Sequence, residues 1–144
     1  MTYLNPEVWL PHYFFFLTTT AMTYPHKPNT ITKKKYYEFV MNLPLYCPVE
    51  AWSANFSRLI DEYPITPYLD SRDSFVRWIH FIYNKVQKYL EKDPITLDKF
   101  YLDYYEAYKP PEVKNKEFYK WRSRAIYVGV ILSFIAVIYY LYNK

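Results

Sequence analysis

The chain has a single glycine, Gly129, and a single cysteine, Cys47, in 144 residues. Loops that cradle phosphates use glycines to bring the backbone against the ligand. With none before residue 129, P-loop and Rossmann sites are excluded. A lone cysteine rules out an intramolecular disulfide, a CxxC zinc site and a dithiol redox pair within the chain. His12, His26 and His80 have no metal-ligand spacing among them, so no metal is expected. Charge of one sign is also scarce. The net charge is +4, and Lys33–Lys35 is the only tight basic cluster ahead of residue 110. That cluster reads as the solvated start of a helix, and nucleic acid is not an expected partner. The N-terminus lacks the basic region of a cleavable signal peptide. Asp70, Arg72 and Asp73 form a charged group at a helix start, where carboxylates favour the dipole without any catalytic role.

Aromatic residues are plentiful, with 19 Tyr, 10 Phe and 4 Trp. So is one apolar run: Ala125–Tyr142 reads AIYVGVILSFIAVIYYLY with no charge. A helix rises about 1.5 Å per residue, so a run of this length crosses a hydrocarbon core of about 30 Å. Tyrosines near its ends suit the membrane interface. Lys114, Lys116, Lys120, Arg122 and Arg124 precede the run, and only Asn143 and Lys144 follow it. Basic residues beside a span stay cytoplasmic. The expectation is a tail-anchored, single-pass protein with its bulk on the cytosolic side. Residues 1–110 are then a helical domain, 111–124 a basic juxtamembrane linker and 125–142 the transmembrane helix.

Prolines and caps divide the domain into helices, so the fold class is all-α. Asn5-Pro6 resembles a cap with proline at the first helical position. A helix over about Pro11–Met22 turns Phe14, Leu17, Ala21 and Met22 inward. Thr30 or Thr32 caps a second, with Tyr36, Phe39, Val40 and Leu43 on one stripe and Pro44 as its stop. Pro48 starts a third, with Val49, Trp52, Phe56, Leu59, Ile60 and Tyr63 on one face. Ser71 caps the longest, to about Lys92, with Phe75, Trp78, Ile79, Ile82, Val86 and Leu90 inward. Thr96 caps a short fifth to about Tyr108. Short loops between helices of similar length favour an antiparallel bundle.

Tyr24-Pro25, the proline-led third helix and FVRWIHFIYNKVQKYLEK at Phe75–Lys92 together resemble the Erv/ALR sulfhydryl oxidase family. NPEVWLPHYFFFLTTTAMTYPHKP resembles the versions found in large DNA viruses. The resemblance runs over about residues 5–108. It implies a four-helix bundle plus a short fifth helix, FAD as cofactor and oxidation of thiols to disulfides. The family's chemistry uses a CxxC at the start of the third helix. A helix N-terminus stabilises thiolate, and i, i+3 spacing puts both sulfurs on one face. In this chain the matching positions are Val49 and Trp52. Cys47 lies two residues earlier, and shifting the register to use it sets Glu50 at the partner position.

The implied flavin site is altered too. The family's W-x-x-x-H becomes Phe14 and Thr18, the glycine before the proline becomes Leu10, and H-N-x-V-N becomes Tyr83-Asn84-Lys85-Val86-Gln87. Tyr24, Trp78, Asn84, Val86, Leu90 and Lys92 keep the family's residue type. If FAD is bound, the residues the resemblance assigns to it are Phe14, Thr18, Tyr24, Trp78, Tyr83, Asn84, Val86, Gln87 and Lys92. The first expectation is a catalytically degenerate family member without cofactor. It would act as a membrane-anchored structural or adaptor component of a virion internal membrane, contacting other membrane or capsid proteins. Leu10, Phe15 and Phe16 are candidates for a homodimer face. The alternatives are a residual FAD-dependent thiol oxidase that pairs Cys47 with a partner's thiol, and an unrelated tail-anchored helical protein whose likeness is convergent.

Overall fold

The computed structural model describes residues 4–143, and the side chains of all of these except 111–115 and 117. Lys144 and the side chain of Lys114, two of the flanking charges named above, lie outside the described residues. Six α-helices follow one another: α1 Pro6–Met22, α2 Thr30–Asn42, α3 Glu50–Glu62, α4 Arg72–Tyr89, α5 Leu97–Glu106 and α6 Pro111–Tyr142. Short 3-10 turns at Leu43–Tyr46 and Thr66–Tyr68 flank α3. No strand occurs among the described residues. Residues 1–104 and 105–144 form two compact units.

Within the first unit, α1 packs chiefly on α4. Phe14, Leu17, Tyr24, Phe75, Trp78 and Ile82 are buried there at 3% exposure or less. Two long-range bonds tie the loops to this core. The Tyr24 hydroxyl donates to the Leu69 carbonyl at 2.8 Å. The Trp78 indole N–H donates to the Tyr63 carbonyl at 2.9 Å. The Arg72 guanidinium donates to the Tyr24 carbonyl at 2.6 Å, and Lys33 pairs with Asp70. Arg72 and Asp70 of the charged group at the start of α4 therefore have partners within the bundle.

Several helix limits differ from the sequence reading. α1 begins five residues before Pro11, because Asn5 caps it through the Glu7 amide at 2.9 Å and Pro6 takes the first turn. Pro11 sits inside, and its missing N–H costs only one bond in the second turn. Asn29, and neither Thr30 nor Thr32, caps α2, accepting from the Thr32 amide at 2.8 Å. Pro44 continues the chain as a 3-10 turn. α4 ends at Tyr89, short of Lys92, where Glu91 adopts φ 56°. That left-handed residue lets the Lys92 amide return to the Gln87 carbonyl at 3.0 Å. Thr96 caps α5 as expected, accepting from the Lys99 amide at 3.2 Å.

α6 is helical from Pro111 onward, so residues 111–124 continue into the apolar segment without a break. Phe118–Tyr142, 25 residues containing an 18-residue window of mean hydropathy 2.1 with none of that window buried, is long and apolar enough to cross a membrane.

Candidate functional site

The two positions where the resemblance places a dithiol lie at the start of α3. Val49 is the extended residue that caps the helix, so it precedes the helical stripe rather than belonging to it. Trp52 is half-buried and packs edge-on to Trp9, with ring centres 6.1 Å apart at 89°. Trp9 meets Tyr13 at 5.9 Å, and Tyr13 meets Phe56 at 6.1 Å. Phe14 then joins Phe56 at 6.4 Å to Tyr83 at 5.2 Å. The space between α1, α3 and α4 is filled by rings that meet at steep angles, 68° being the shallowest of these contacts. Edge-to-face pairs of this kind contribute about 0.5–1.5 kcal/mol each beyond area burial.

Cys47 lies three residues ahead of the first residue of α3, outside the helix turn that would stabilise a thiolate. Its Sγ is 3.9 Å from the Tyr13 hydroxyl, which itself donates to the Leu43 carbonyl at 2.9 Å. Burial pushes the Cys47 thiol above the ordinary thiol range, partly opposed by the Tyr13 hydroxyl. Burial, and then the neighbouring sulfur, pushes the Tyr13 phenol up as well. At neutral pH this is a protonated sulfur, and the thiolate is the nucleophile in disulfide exchange.

Of the nine residues assigned to a flavin, three line one cleft. Phe14, Thr18 and Tyr83 face a space of about 230 Å³ together with Pro11, Phe100 and Asp103. The other six lie elsewhere. Tyr24, Trp78 and Val86 are buried in the core. Asn84 spends both ends of its amide on Ile95, accepting from its N–H and donating to its carbonyl, each at 3.0 Å. Gln87 lies one helical turn beyond Tyr83, whose ionisation burial opposes. Lys92 pairs with Glu7 at 3.0 Å.

The polar groups of the cleft are also engaged. The Thr18 hydroxyl donates to the Phe14 carbonyl at 2.7 Å. Small-molecule pockets span about 300–1,000 Å³, and a flavin dinucleotide exceeds a drug-sized ligand. At about 230 Å³ the cleft is too small for it. Among the described residues one buried polar side-chain atom has no partner, Trp9 Nε1. It lies in the ring cluster beside Trp52.

Trp9, Tyr13, Phe100 and Asp103 were not among the sequence candidates. The i, i+4 spacing of Trp9 and Tyr13 would have placed both on the α3-facing side once the helix was started at Pro6. Leu10, by contrast, is buried at 5% and contributes nothing to a surface, whereas Phe15 and Phe16 are exposed.

Comparison with known proteins follows the same lines. Residues 12–109 match the model of the Erv1 / Alr family. The chain is 30% identical over 120 residues to the probable FAD-linked sulfhydryl oxidase R368 of Acanthamoeba polyphaga mimivirus, covering 82% of this chain and 81% of the relative. The fold is similar to the yeast Erv1 core, with TM-score 0.60 and 24% identity over 66% of this chain and 79% of that one. It is likewise similar to the FAD binding domain of Erv1 from Saccharomyces cerevisiae, with TM-score 0.61 and 24% identity over 65% and 88% of the two chains. These matches remove the convergent reading, and the chain belongs to the Erv1/Alr family.

Proposed function

We propose that this protein is a catalytically degenerate Erv/ALR member, held at a membrane by α6 and acting there as a structural or adaptor component. The observation that carries the reading is the start of α3: Val49 and Trp52 stand where a thiol pair would have to be, and the chain holds one sulfhydryl. Oxidising two thiols to a disulfide releases two electrons and two protons. With one sulfur the chain can exchange into a mixed disulfide, which moves no net electrons. The 230 Å³ cleft supports the further point that no flavin dinucleotide is held.

On this reading residues 1–110 form the working module, 111–124 the basic juxtamembrane segment and 125–142 the span. The cations before the span support a bulk on the cytosolic side. The mimivirus relative supports a virion internal membrane, with membrane or capsid proteins as partners and Phe15 and Phe16 as candidate contact residues, for a partner or for a second copy.

The test is the purified full chain in neutral detergent. A visible spectrum without a stoichiometric flavin band is expected. Added FAD is expected to leave the melting temperature unchanged, whereas a ligand at 100 times its dissociation constant would stabilise by about 2.7 kcal/mol. A flavin band or a rise of several degrees would overturn the cofactor-free reading. Oxygen uptake with dithiothreitol would overturn the degenerate one. The orphan Trp9 N–H favours a second reading, flavin binding without turnover, and the same spectrum distinguishes it.

A further inference from the structure

The helical continuity of α6 places the cations before the span. At about 100° per residue, steps of four residues drift by only about 40°. Lys116, Lys120 and Arg124 therefore form one row along the helix, while Phe118 lies on the opposite side and Trp121 on the flank next to Arg124. All five side chains are exposed. Among the described residues no ion pair engages the three cations. From residue 116 onward Glu117 is the sole acidic residue.

Depth follows from the helix rise. The uncharged run Ala125–Tyr142 spans about 27 Å, close to the full hydrocarbon thickness of about 30 Å. Arg124 then stands at the edge of the hydrocarbon. Trp121 lies about 4.5 Å and Lys120 about 6 Å above it, inside a headgroup layer of about 5–8 Å. Lys116, about 12 Å up, stays within about one or two Debye lengths of the surface. At that depth Arg124 and Lys120 are within reach of lipid headgroups. Trp121 is an interfacial anchor that keeps the row at that height.

We infer that Lys116, Lys120 and Arg124 form a docking row for anionic phospholipid headgroups. The inference rests on reading α6 as a membrane span, and it adds a lipid class that the span alone does not require. Neutral bilayers satisfy the apolar segment; the row favours a leaflet rich in negative headgroups.

The experiment uses the full chain reconstituted in vesicles of 4:1 phosphatidylcholine to phosphatidylserine, with native mass spectrometry of the lipids it retains. Retained phosphatidylserine is expected to exceed the bulk ratio by about fivefold or more, and to approach it as salt is raised. The K116Q/K120Q/R124Q variant is expected to retain lipids in the bulk ratio. A wild-type chain at the bulk ratio, or a triple variant that keeps the enrichment, overturns the row. A parallel flotation in pure phosphatidylcholine after carbonate treatment tests the span separately: both chains are expected to float. If neither floats, the membrane reading falls.

Discussion

Replacing Asn84 with alanine removes a clamp between α4 and the loop that leads to α5. The amide accepts from the Ile95 N–H and donates to the Ile95 carbonyl, both at 3.0 Å and both part-buried. His80 Nε2 lies 2.8 Å from the same carbonyl and 3.0 Å from the Asn84 amide nitrogen, so the imidazole can cover the carbonyl when its tautomer carries the proton there. The N–H has no such substitute. Two lost bonds at about 0.5–1.5 kcal/mol each, with an unsatisfied N–H added, bring the cost to about 2 kcal/mol or more. For a unit of about 100 residues each kcal/mol moves the melting point by about 4–8 °C. A fall of about 8–16 °C is therefore expected, read by near-UV circular dichroism of the full chain in detergent. That signal follows the packed tryptophans and ignores α6 helicity. Asn84→Asp keeps the acceptor for the N–H and loses the donor, so its melting point is expected to lie between the two. A change below about 2 °C for Asn84→Ala would refute the clamp. The amide would then be free to serve a ligand, which is the role the resemblance assigns to it.

Tyr24→Phe leaves the buried Leu69 carbonyl without its 2.8 Å donor and is expected to cost about 1–3 kcal/mol in urea unfolding. Cys47 is expected to react with maleimide several-fold more slowly in the native chain than in a denatured control at pH 8; equal rates would refute its burial. Because folding raises the pKa of this thiol, its contribution to stability is present below the ordinary value of 9.0 and is lost as the pH rises past it. Cysteines restored at both dithiol positions, as V49C/W52C, are expected to give no oxygen-dependent thiol turnover, since an electron acceptor is still wanting. Deleting residues 113–144 is expected to release a soluble folded bundle that no longer sediments with membranes. A truncated chain that still localised there would make the anchor incidental.

Helix number, order and fold class were legible in the residues, because stripes such as Phe75, Trp78, Ile79, Ile82 and Val86 repeat at the helical period and face one core. Ends were less so. Pro11 looks like a start, yet the Asn5-Pro6 pair outcompetes it, since a proline in the second turn forfeits one bond while the cap satisfies another. The end of α4 depends on Glu91 entering a left-handed conformation, which glutamate gives no sign of in a sequence. Cleft residues from α5 were missed for another reason. Phe100 and Asp103 are brought to Phe14 and Tyr83 by the irregular stretch 92–96, and local periodicity carries no trace of that approach.

The replaced cofactor positions share one physical consequence. A flavin ring is flat and needs two near-parallel walls. Trp9, Tyr13, Phe14, Trp52, Phe56 and Tyr83 meet one another edge to face, which leaves no such slot between α1, α3 and α4. Those contacts supply stabilisation from within the chain, as the proposed cofactor-free reading requires. A fold that holds itself together in this way can lose its sulfur chemistry without losing its shape. The unpartnered Trp9 N–H tests the cofactor-free reading, because a buried donor left idle costs about 1–3 kcal/mol. Trp9→Phe keeps the ring contacts and removes the idle donor. On the cofactor-free reading it should hold or raise stability, and a loss would mean that the N–H has a partner in the native protein.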